Sequence, residues 1–270
     1  MTYNGLSKEK HLFTGYLYVP EAEEDYVLGG NKLPRKVLRP DSDWTKDLPE
    51  AEPQLRNAVE TSNCTGFNTI NAVETLMFGK GLVTEKPNYS DRGVGIMAGT
   101  RPPGNNPKTV ADTIRHKGLF AESLLPFSDD IKTSEDYYSP DPLPYGLKIE
   151  GEKWVEGWDF GYEWAYPSSA PLHYKQDALI EALKYSPVCI SVYAWYQVGE
   201  FYDRPNGEPD THWTTAIFAN KEYILVEDSY PPFKKKVAWD MNPRQAMRYH
   251  IDKQMKKVSW WTKYWKSIFA

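Results

Sequence analysis

One cysteine of the sequence has the surroundings of a nucleophile. Cys64 follows Asn63, a residue type that caps helices, and the apolar side chains after it recur at helical spacing: Phe67, Ile70, Val73, Leu76 and Met77. The sequence therefore predicts that Cys64 lies in the first turn of a helix. Unpaired backbone N–H groups and the positive end of the helix dipole favour the thiolate there, and the thiolate is the form that attacks carbonyl carbons.

A histidine and an aspartate could serve this thiol. His212 precedes the β-forming run 214–218, and Asp228 directly follows the run 223–227, with a turn between the two runs. If the runs form an antiparallel hairpin, their outer ends return to the same end of the sheet, so the carboxylate can hold the imidazole. The histidine would then take the thiol proton and give it to a leaving group, while the carboxylate fixes the histidine tautomer.

The second cysteine and the other histidines lack such company. Cys189 lies in the β-forming run 187–195, where we expect it to pack in the core. No pair of histidines has metal-ligand spacing with this cysteine, so the sequence predicts neither a metal site nor a cofactor. The remaining histidines, predicted to be surface or structurally satisfied residues, are His11, His116, His173 and His250.

The elements that must position these residues differ between the two halves of the chain. Helices dominate the first half and antiparallel strands the second, which predicts an α+β fold. Residues 89–106, rich in glycine, proline and asparagine, are predicted to form a surface loop, and residues 129–171 show too little periodicity for an assignment. The predicted helices and strands, in chain order, are 64–78, 107–118, 175–185, 187–195, 214–218, 223–227 and 247–251.

The composition narrows the classes of function. The chain has 270 residues, of which 40% are hydrophobic and 14% aromatic, as in a folded globule. A net charge of -5 argues against a global nucleic-acid surface, so we expect no nucleic-acid partner. Two cysteines do not make a disulfide framework, and the sequence shows no signal peptide and no apolar stretch of membrane-spanning length. We therefore expect a cytoplasmic protein.

Three motifs resemble those of the papain-like cysteine peptidases. Residues 63–67, Asn-Cys-Thr-Gly-Phe, resemble the nucleophile helix, residues 211–217 the catalytic histidine strand, and residues 227–230, Glu-Asp-Ser-Tyr, the Asn-Ser-Trp motif. The resemblance covers about residues 41–254 and implies a two-lobed fold, with a helical lobe that carries the cysteine and an antiparallel β lobe that carries the histidine. The cysteines that form disulfide bonds in the family are absent here, as in an intracellular relative. The divergent motifs resemble those of bacterial and phage members. If the protein comes from a phage, it could be associated with the virion. Further agreements lie at 43–44, 117–127, 186–188 and 247–251.

The sequence departs from the family at two positions. The family has a glutamine that helps to bind the oxyanion six residues before its cysteine, where this chain has Ala58. Gln54, Asn57 and Asn63 are possible substitutes, and we rank Gln54 first because it is a glutamine in the matching loop. The other departure is Asp228 in place of asparagine, which is compatible with activity because a carboxylate favours the imidazolium beside it.

Three regions follow from the extent of the resemblance. Residues 1–40 form an arm that we expect to pack on the body as part of the mature fold; alternatively, the arm lies in the cleft and blocks it. Residues 41–254 form the peptidase-like domain. Residues 255–270 form an aromatic and basic tail that is amphipathic as a helix. The tail either folds back onto the domain or docks on a protein partner or a second copy; membrane contact is possible but less favoured.

These features predict a cysteine peptidase or another amide hydrolase that acts on peptides or proteins. The reaction would pass through an acyl-enzyme on Cys64, with His212 as base and acid and Asp228 as its orienting partner. An alternative is a catalytically impaired relative that keeps the fold as a binding or assembly module, as the missing glutamine suggests. A further alternative is transglutaminase-like acyl transfer, since those enzymes also use cysteine, histidine and aspartate.

Overall fold

The computed structural model describes residues 15–22, 25 and 36–254. Its helical part surrounds one central helix, which is buried from Cys64 to Met77. This helix packs against two further helices on one side and against the large sheet on the other. The helices are α1 (Cys64–Gly79), α2 (Asp91–Met97), α3 (Pro107–Lys117), α4 (Ser134–Tyr137), α5 (Tyr145–Gly157) and α6 (Leu172–Leu183).

The large sheet has eight strands in the order β3-β10-β4-β7-β8-β9-β6-β5. Its neighbouring strands run antiparallel, except that β6 runs parallel to β9. A separate two-stranded ribbon, β1 with β2, precedes α1. The strands are β1 (Leu55–Arg56), β2 (Val59–Glu60), β3 (Trp158–Trp164), β4 (Val188–Val192), β5 (Tyr196–Val198), β6 (Phe201–Asp203), β7 (His212–Ala219), β8 (Tyr223–Glu227), β9 (Lys234–Ala238) and β10 (Ala246–Lys253).

The strongest local signals of the sequence are confirmed. Helix α1 begins at Cys64, as predicted. Helix α3 begins where Asn106 accepts a hydrogen bond from the Thr109 backbone N–H, has Pro107 in its first turn, and ends at Gly118 with φ of 74°. Strands β7 and β8 form the predicted hairpin, with Thr215 opposite Glu227. The α+β class is therefore confirmed.

The prediction of a surface loop at 89–106 is wrong for the part that forms α2. The Ser90 side chain caps this helix by accepting a hydrogen bond from the Gly93 backbone N–H. Gly93 and Gly95 lower the helix propensity, which is why the segment resembles a loop. A Cβ on Gly93 would lie 2.3 Å from Cζ of Phe120, and a Cβ on Gly95 would lie 2.9 Å from Nδ2 of Asn63. Close packing therefore accounts for both glycines.

The unassigned region 129–171 contributes two substantial elements, α5 and β3. Strand β3 pairs along its whole length with β10, from Trp158 opposite Lys253 to Trp164 opposite Met247. Its four aromatic residues, Trp158, Phe160, Tyr162 and Trp164, alternate with Asp159, Gly161 and Glu163, so the period of two that identifies a strand is present here and the sequence analysis missed it. The connection after β4 also forms a short hairpin, β5 with β6, that the sequence did not indicate.

The apolar core joins the sheet to the helices around α1. Cys189 lies in β4 with no exposed surface, and its Sγ donates to the backbone oxygen of Asn68, 3.1 Å away. Its predicted role as a core residue is confirmed. Within residues 36–254 and the short described stretches before them, no helix is long and apolar enough to cross a membrane. The tail 255–270 and most of the arm 1–40 lie outside the described residues.

Candidate active site

The Cys64 thiol lies at the start of α1 and has no exposed surface. Burial raises the pKa of this thiol well above its usual range, a backbone hydrogen bond from Trp213 lowers it, and the charges of Glu60 and Asp228 raise it further. The helix start that favours a thiolate is therefore opposed by burial and by two nearby carboxylates. In this arrangement the sulfur keeps its proton.

The hairpin brings His212 and Asp228 together as the sequence predicted. His212 is the first residue of β7, Asp228 directly follows β8, and both side chains are fully buried. The His212 Nε2 lies 2.6 Å from Oδ1 of Asp228. The other ring nitrogen, Nδ1, has no hydrogen-bond partner within the described chain. The rings of Trp195 and Tyr230 flank the imidazole, with centroids 5.6 and 5.2 Å from it.

The same strand links this pair to the cysteine. The backbone of Trp213, the residue after His212, lowers the pKa of the Cys64 thiol. Asn68, one turn along α1, donates from Nδ2 to the Trp213 backbone oxygen at 2.7 Å and to Ser229 Oγ at 3.3 Å. The start of α1, the start of β7 and the residues after β8 are therefore joined by hydrogen bonds around one point.

A buried lysine completes the site, and the sequence analysis missed it. Lys235 lies on β9 with a side chain that is 1% exposed, and its Nζ donates to Oδ2 of Asp228 at 2.7 Å. Burial alone would raise the pKa of Asp228, but Lys235 and His212 hold that pKa far below its usual range. Burial lowers the pKa of Lys235, and the Asp228 charge opposes that change. The carboxylate is therefore ionised, with a cation on one oxygen and the imidazole on the other.

The alternation of β9 is the signal that could have revealed this lysine. Residues 234–238 read Lys-Lys-Lys-Val-Ala, and the buried positions are Lys235 and Val237. On a strand, alternate residues share a face, so Lys235 points to the same side as Val237. A run of three lysines suggests a solvated segment, which hides this alternation.

Gln54, the candidate oxyanion donor, is fully buried and contacts Tyr230, whose ring lies against His212. Its Nε2 donates to Oε1 of Glu60 at 2.8 Å and to the Tyr230 hydroxyl at 2.6 Å, while its Oε1 accepts from Ser229 Oγ at 2.6 Å. Both Nε2 hydrogens are thus engaged. To bind an oxyanion, Gln54 would have to exchange one of these bonds. Its role stays a prediction.

The two other candidate donors lie in different surroundings. Asn57 is exposed and its Nδ2 lies 3.3 Å from Oδ1 of Asp129. Asn63, just before Cys64, is fully buried, and its Nδ2 donates to the Asp91 backbone oxygen at 2.9 Å and to the Tyr137 hydroxyl at 3.0 Å. Both hydrogens of Asn63 are also engaged, so neither asparagine presents a clearer donor than Gln54.

Glu60 is a further acidic residue of the site that the sequence did not indicate. Its carboxylate accepts from Gln54 Nε2, from the Ser62 backbone N–H at 2.8 Å and from the Tyr230 hydroxyl at 2.7 Å. Burial raises the pKa of Glu60, and these hydrogen bonds oppose the rise. Its charge acts on both Cys64 and His212. No spacing rule points to this residue, because its contact with the Tyr230 hydroxyl comes from a distant segment.

The described part of the arm covers the cysteine. A Cβ on Gly15 would lie 2.6 Å from Sγ of Cys64, so the bare backbone of Gly15 sits against the sulfur. The Gly15 oxygen accepts from the Asn105 backbone N–H at 3.0 Å, and the Tyr16 backbone N–H lies 3.4 Å from the oxygen of Thr211. Residues 15–17 therefore lie between the two lobes at the thiol.

Tyr16 holds this segment in place. Its ring stacks on Trp213, with centroids 5.6 Å apart and planes 3° apart. Its hydroxyl donates to Oε1 of Gln245 at 2.7 Å. Burial raises the pKa of this tyrosine far above its usual range, so the hydroxyl stays protonated and can donate. The arm is thus anchored through a buried aromatic contact and a buried hydrogen bond.

The site has no arrangement that could hold a metal ion. Across residues 15–22, 25 and 36–254, no group of three or more histidine, cysteine, aspartate or glutamate side chains has the geometry for one.

The structure was compared with known proteins. No family model and no curated protein matches the sequence. Among solved structures, procathepsin L 3 of the Tenebrio molitor larval midgut matches with a TM-score of 0.57 and 16% identity over 88% of this chain and 76% of that chain. A cysteine protease of Carica candamarcensis matches with a TM-score of 0.50 and 16% identity, over 77% and 96%. SERA5E of Plasmodium falciparum matches with a TM-score of 0.52 and 15% identity, over 86% of this chain and 99% of that chain.

The fold is that of the papain-like cysteine proteases, with a helical lobe that carries Cys64 and an antiparallel β lobe that carries His212. The predicted two-lobed fold is confirmed. The structural agreement shows the fold, and at an identity of about 16% the reaction must be argued from the site.

Proposed function

We propose that this protein is a cysteine-type peptidase that hydrolyses peptide or amide bonds through an acyl-enzyme on Cys64. The observation that carries the proposal is the fully buried His212–Asp228 pair, joined at 2.6 Å, on the strand whose next residue, Trp213, accepts a hydrogen bond from Asn68 of the Cys64 helix. The likeness to papain-like cysteine proteases supports a peptidase at the level of the superfamily. Sequence and structure thus support the same three residues.

In this reaction His212 moves the protons. Its Nδ1, which has no partner in the described chain, takes the proton of Cys64 Sγ, while Nε2 stays bonded to Asp228. The thiolate attacks the carbonyl carbon, the carbon–nitrogen bond breaks, and the imidazolium gives its proton to the leaving amine. A water molecule then attacks the thioester, His212 takes its proton, and the acid leaves as the thiol is restored. Asp228 stabilises the imidazolium in both halves.

The oxyanion would be held by the Cys64 backbone N–H together with a side-chain donor. Gln54 stays our first candidate for that donor, because its amide lies in the network that joins Glu60, Ser229 and Tyr230 below the histidine. Losing one such donor costs on the order of 3 kcal/mol of transition-state stabilisation, or about a hundredfold in rate. If Gln54→Ala leaves turnover unchanged while Asn57→Ala or Asn63→Ala lowers it, the assignment passes to that asparagine.

Activity requires that residues 15–17 leave the cleft, because Gly15 occupies the space beside the sulfur. Substituting Gly15 by Val should expel the segment, since its Cβ would clash with Sγ of Cys64. Thiol labelling of Cys64 should then be faster than in the native chain. A matched control is Gly146→Val, at a glycine with open space around its Cβ position. Equal labelling rates in all three proteins would contradict the covering role of the arm.

Activity profiling tests the proposal directly. The full chain is incubated with a mixed peptide library and, separately, with an electrophilic peptide probe. We expect cleavage and labelling that Cys64→Ala abolishes and that Cys189→Ala, the control at the core cysteine, preserves. His212→Ala should lower turnover at least a thousandfold, and adding Cys64→Ala should cost little more, because the two residues act as a unit. Full activity of Cys64→Ala would refute the proposal.

The second candidate function is a binding or assembly module that keeps the fold without turnover. It is favoured by the engaged amide of Gln54 and by the covered thiol. In that case the probe would leave Cys64 unlabelled even in Gly15→Val, while peptides would still bind. A partner of the tail 255–270, a cytoplasmic location and a bacterial or phage origin stay predictions of the sequence.

A further inference from the structure

Lys235 makes an unusually complete set of contacts for a buried cation. Its Nζ donates to Oδ2 of Asp228 at 2.7 Å, to the Tyr230 backbone oxygen at 2.6 Å and to the Pro232 backbone oxygen at 2.7 Å. An ammonium group has three N–H bonds, so all of them are used. The rings of Trp195 and Tyr202 lie 4.8 and 5.9 Å from the same nitrogen. A cation held by one carboxylate, two carbonyls and two rings is tightly fixed.

We propose that Lys235 is a positioning residue of this site: it fixes the Asp228 carboxylate, and through it the His212 ring, and it balances the carboxylate charge beside the Cys64–His212 pair. The inference rests on the proposed function for its meaning in catalysis. The structural part of it, a lysine that controls the charge felt by His212, can be tested without turnover.

The first part of the role is geometric. Asp228 has two oxygens, and Lys235 holds Oδ2 while Oδ1 faces His212. A carboxylate fixed at one oxygen cannot rotate without losing that bond, so the direction of Oδ1 is set by the lysine. The two carbonyl contacts also fasten residues 230–232, and the Tyr230 ring from that segment lies against the imidazole.

The second part is electrostatic. In the resembled motif a neutral asparagine stands where this chain has Asp228, so this site carries an extra negative charge. Lys235 supplies one positive charge at 2.7 Å and makes the pair neutral overall. An unbalanced carboxylate would favour the imidazolium beside it, and its charge would also raise the pKa of the Cys64 thiol. The lysine therefore lets an aspartate occupy this position at the net charge that the asparagine of the motif would give.

The other groups around His212 set the background for this effect. Glu60 on β2 acts on it through its charge, Cys64 lies at the start of α1, and the rings of Trp195 and Tyr230 pack against it. Glu227, before Asp228, is a further carboxylate, and burial raises its pKa to about 7, with the charge of Lys234 opposing. Neither Trp195 nor the buried Tyr230 carries charge near neutral pH. Lys235 is thus the cation in direct contact with the histidine's partner.

The test measures how His212 titrates. Carbon-13 histidine NMR is recorded against pH in a Cys64→Ala background, where no thiol shares the proton. Lys235→Met leaves Asp228 unbalanced, so the midpoint of the His212 titration should rise by about one pH unit or more. Asp228→Asn leaves the lysine unbalanced, so the midpoint should fall by a similar amount. The double variant removes both charges together and should titrate near the parent protein.

A purely structural role would not produce opposite shifts that cancel in the double variant. Lys236→Met is the matched control, because this neighbouring lysine pairs with Glu200 at the surface, 2.9 Å away, and its removal should leave the midpoint unchanged. If Lys235→Met does not fold, the comparison of Asp228→Asn with the double variant still decides. Identical midpoints in those two proteins would overturn the proposal.

Turnover measured on the same variants with Cys64 present separates this inference from the proposed function. Peptide cleavage without the opposite shifts would refute the role of Lys235 and leave the peptidase proposal standing. The opposite shifts without any cleavage would refute the peptidase and leave the role of Lys235 standing. With both correct, the bell-shaped pH profile of turnover should move to higher pH in Lys235→Met and return in the double variant.

Discussion

Buried carboxyl groups in the two lobes of this molecule have pKa values that are shifted in opposite directions. In the β lobe Asp228 contacts Lys235 and His212, which hold its pKa far below the usual range although burial opposes them. In the helical lobe Glu74 and Asp91 are equally buried, and burial raises their pKa values well above the usual range. Their nearest charged influences are other carboxylates, Glu52 and Glu122. All three carboxyl groups are buried, so the direction of each pKa shift follows from the charged groups around it.

The comparison shows what distinguishes a buried carboxylate that keeps its charge from buried carboxyl groups whose protonated form is favoured. Asp228 is surrounded by a cation and an imidazole and can stabilise a positive charge beside it. The acidic cluster, which we define as Glu52, Glu74, Asp91 and Glu122, contains no cation contact at its two most buried members, Glu74 and Asp91, among the ion pairs of the described chain. Burial and the neighbouring carboxylates therefore both raise the pKa values of Glu74 and Asp91 and favour their protonated forms. Glu74 accepts a hydrogen bond from the Tyr89 backbone N–H at 2.6 Å, whereas Oδ1 of Asp91 has no hydrogen-bond partner within the described chain.

The largest expected difference concerns the loss of each carboxylate charge. Asp228→Asn leaves Lys235 as a buried cation without its counter-ion, which typically costs about 3 to 5 kcal/mol of unfolding free energy. Asp91→Asn breaks no ion pair of the described chain, so we expect the free energy of unfolding to change by at most about 1 kcal/mol. Urea unfolding of the full chain at pH 7 measures both. Similar losses in the two variants would break the comparison.

A rescue experiment sharpens this first prediction. Adding Lys235→Met to Asp228→Asn removes the stranded cation, so most of the lost stability should return. If the double variant is as unstable as Asp228→Asn alone, the cost arises from the shape of the asparagine and not from the unpaired charge.

A smaller effect is expected in the pH dependence of stability. Burial raises the pKa of Glu122 from 4.5 to about 7, and the charge of Glu52 adds to the rise. A raised pKa in the folded state means that the stabilising contribution is complete below about pH 4.5 and is lost as the pH rises through 7. Raising the pH from 5 to 8 should therefore lower the stability of the native protein more than it lowers the stability of the Glu122→Gln variant. In thermal unfolding, the fall in Tm between pH 5 and pH 8 should be about 2 to 4 °C larger in the native protein than in the variant.

The other titrating groups, including Glu227 with its pKa of about 7, are present in both proteins of that experiment. The pKa of Asp228 is lowered, so its contribution is present above pH 3.8 and is lost only at more acid pH, outside the measured window. Burial lowers the pKa of His250 from 6.5, so its contribution increases towards high pH, and both proteins share it. A native protein and a Glu122→Gln variant with the same pH dependence would contradict the assignment.

The smallest expected effect concerns the rings around the cation. Tyr202→Leu removes one of the two rings near Lys235 and should cost about 0.5 to 1 kcal/mol beyond the packing loss. The matched variant is Tyr223→Leu, whose ring lies 5.1 Å from the surface lysine Lys236. An exposed cation gains less from a ring, so the second variant should cost less in urea unfolding. Equal costs would show that the burial of Lys235 adds nothing to this contact.

The parts of the site that depend on local pattern could be predicted from the sequence. Cys64 was identified as a helix start by Asn63 and the apolar spacing after it. His212 and Asp228 were identified as neighbours because a short turn joins two β-forming runs, and hairpin geometry then fixes where the outer ends meet. The fold class and the two lobes followed from the order of such local signals and from the motifs together.

The parts that depend on packing between distant segments could not be predicted. Lys235 is fixed by Asp228, by two carbonyls and by two rings, and the sequence shows only a run of lysines. Helix α2 forms because Gly93 and Gly95 allow close contact with Phe120 and Asn63, whereas the same glycines argue for a loop when they are considered locally. Gly15 has no spacing relation to Cys64 at all.

The glycine against the sulfur has a consequence for competition. Residues 15–17 belong to the same chain as Cys64, so dilution of the protein does not lower the effective concentration at which they meet the cleft. A peptide binds only the open fraction, and its apparent dissociation constant is the intrinsic constant divided by that fraction. With about one molecule in a hundred open, an intrinsic constant of about 1 μM would become about 100 μM. A peptide would then reach Cys64 only if its concentration near the cleft were high, either because the peptide is abundant or because it is tethered to this protein, and if its sequence fits the cleft.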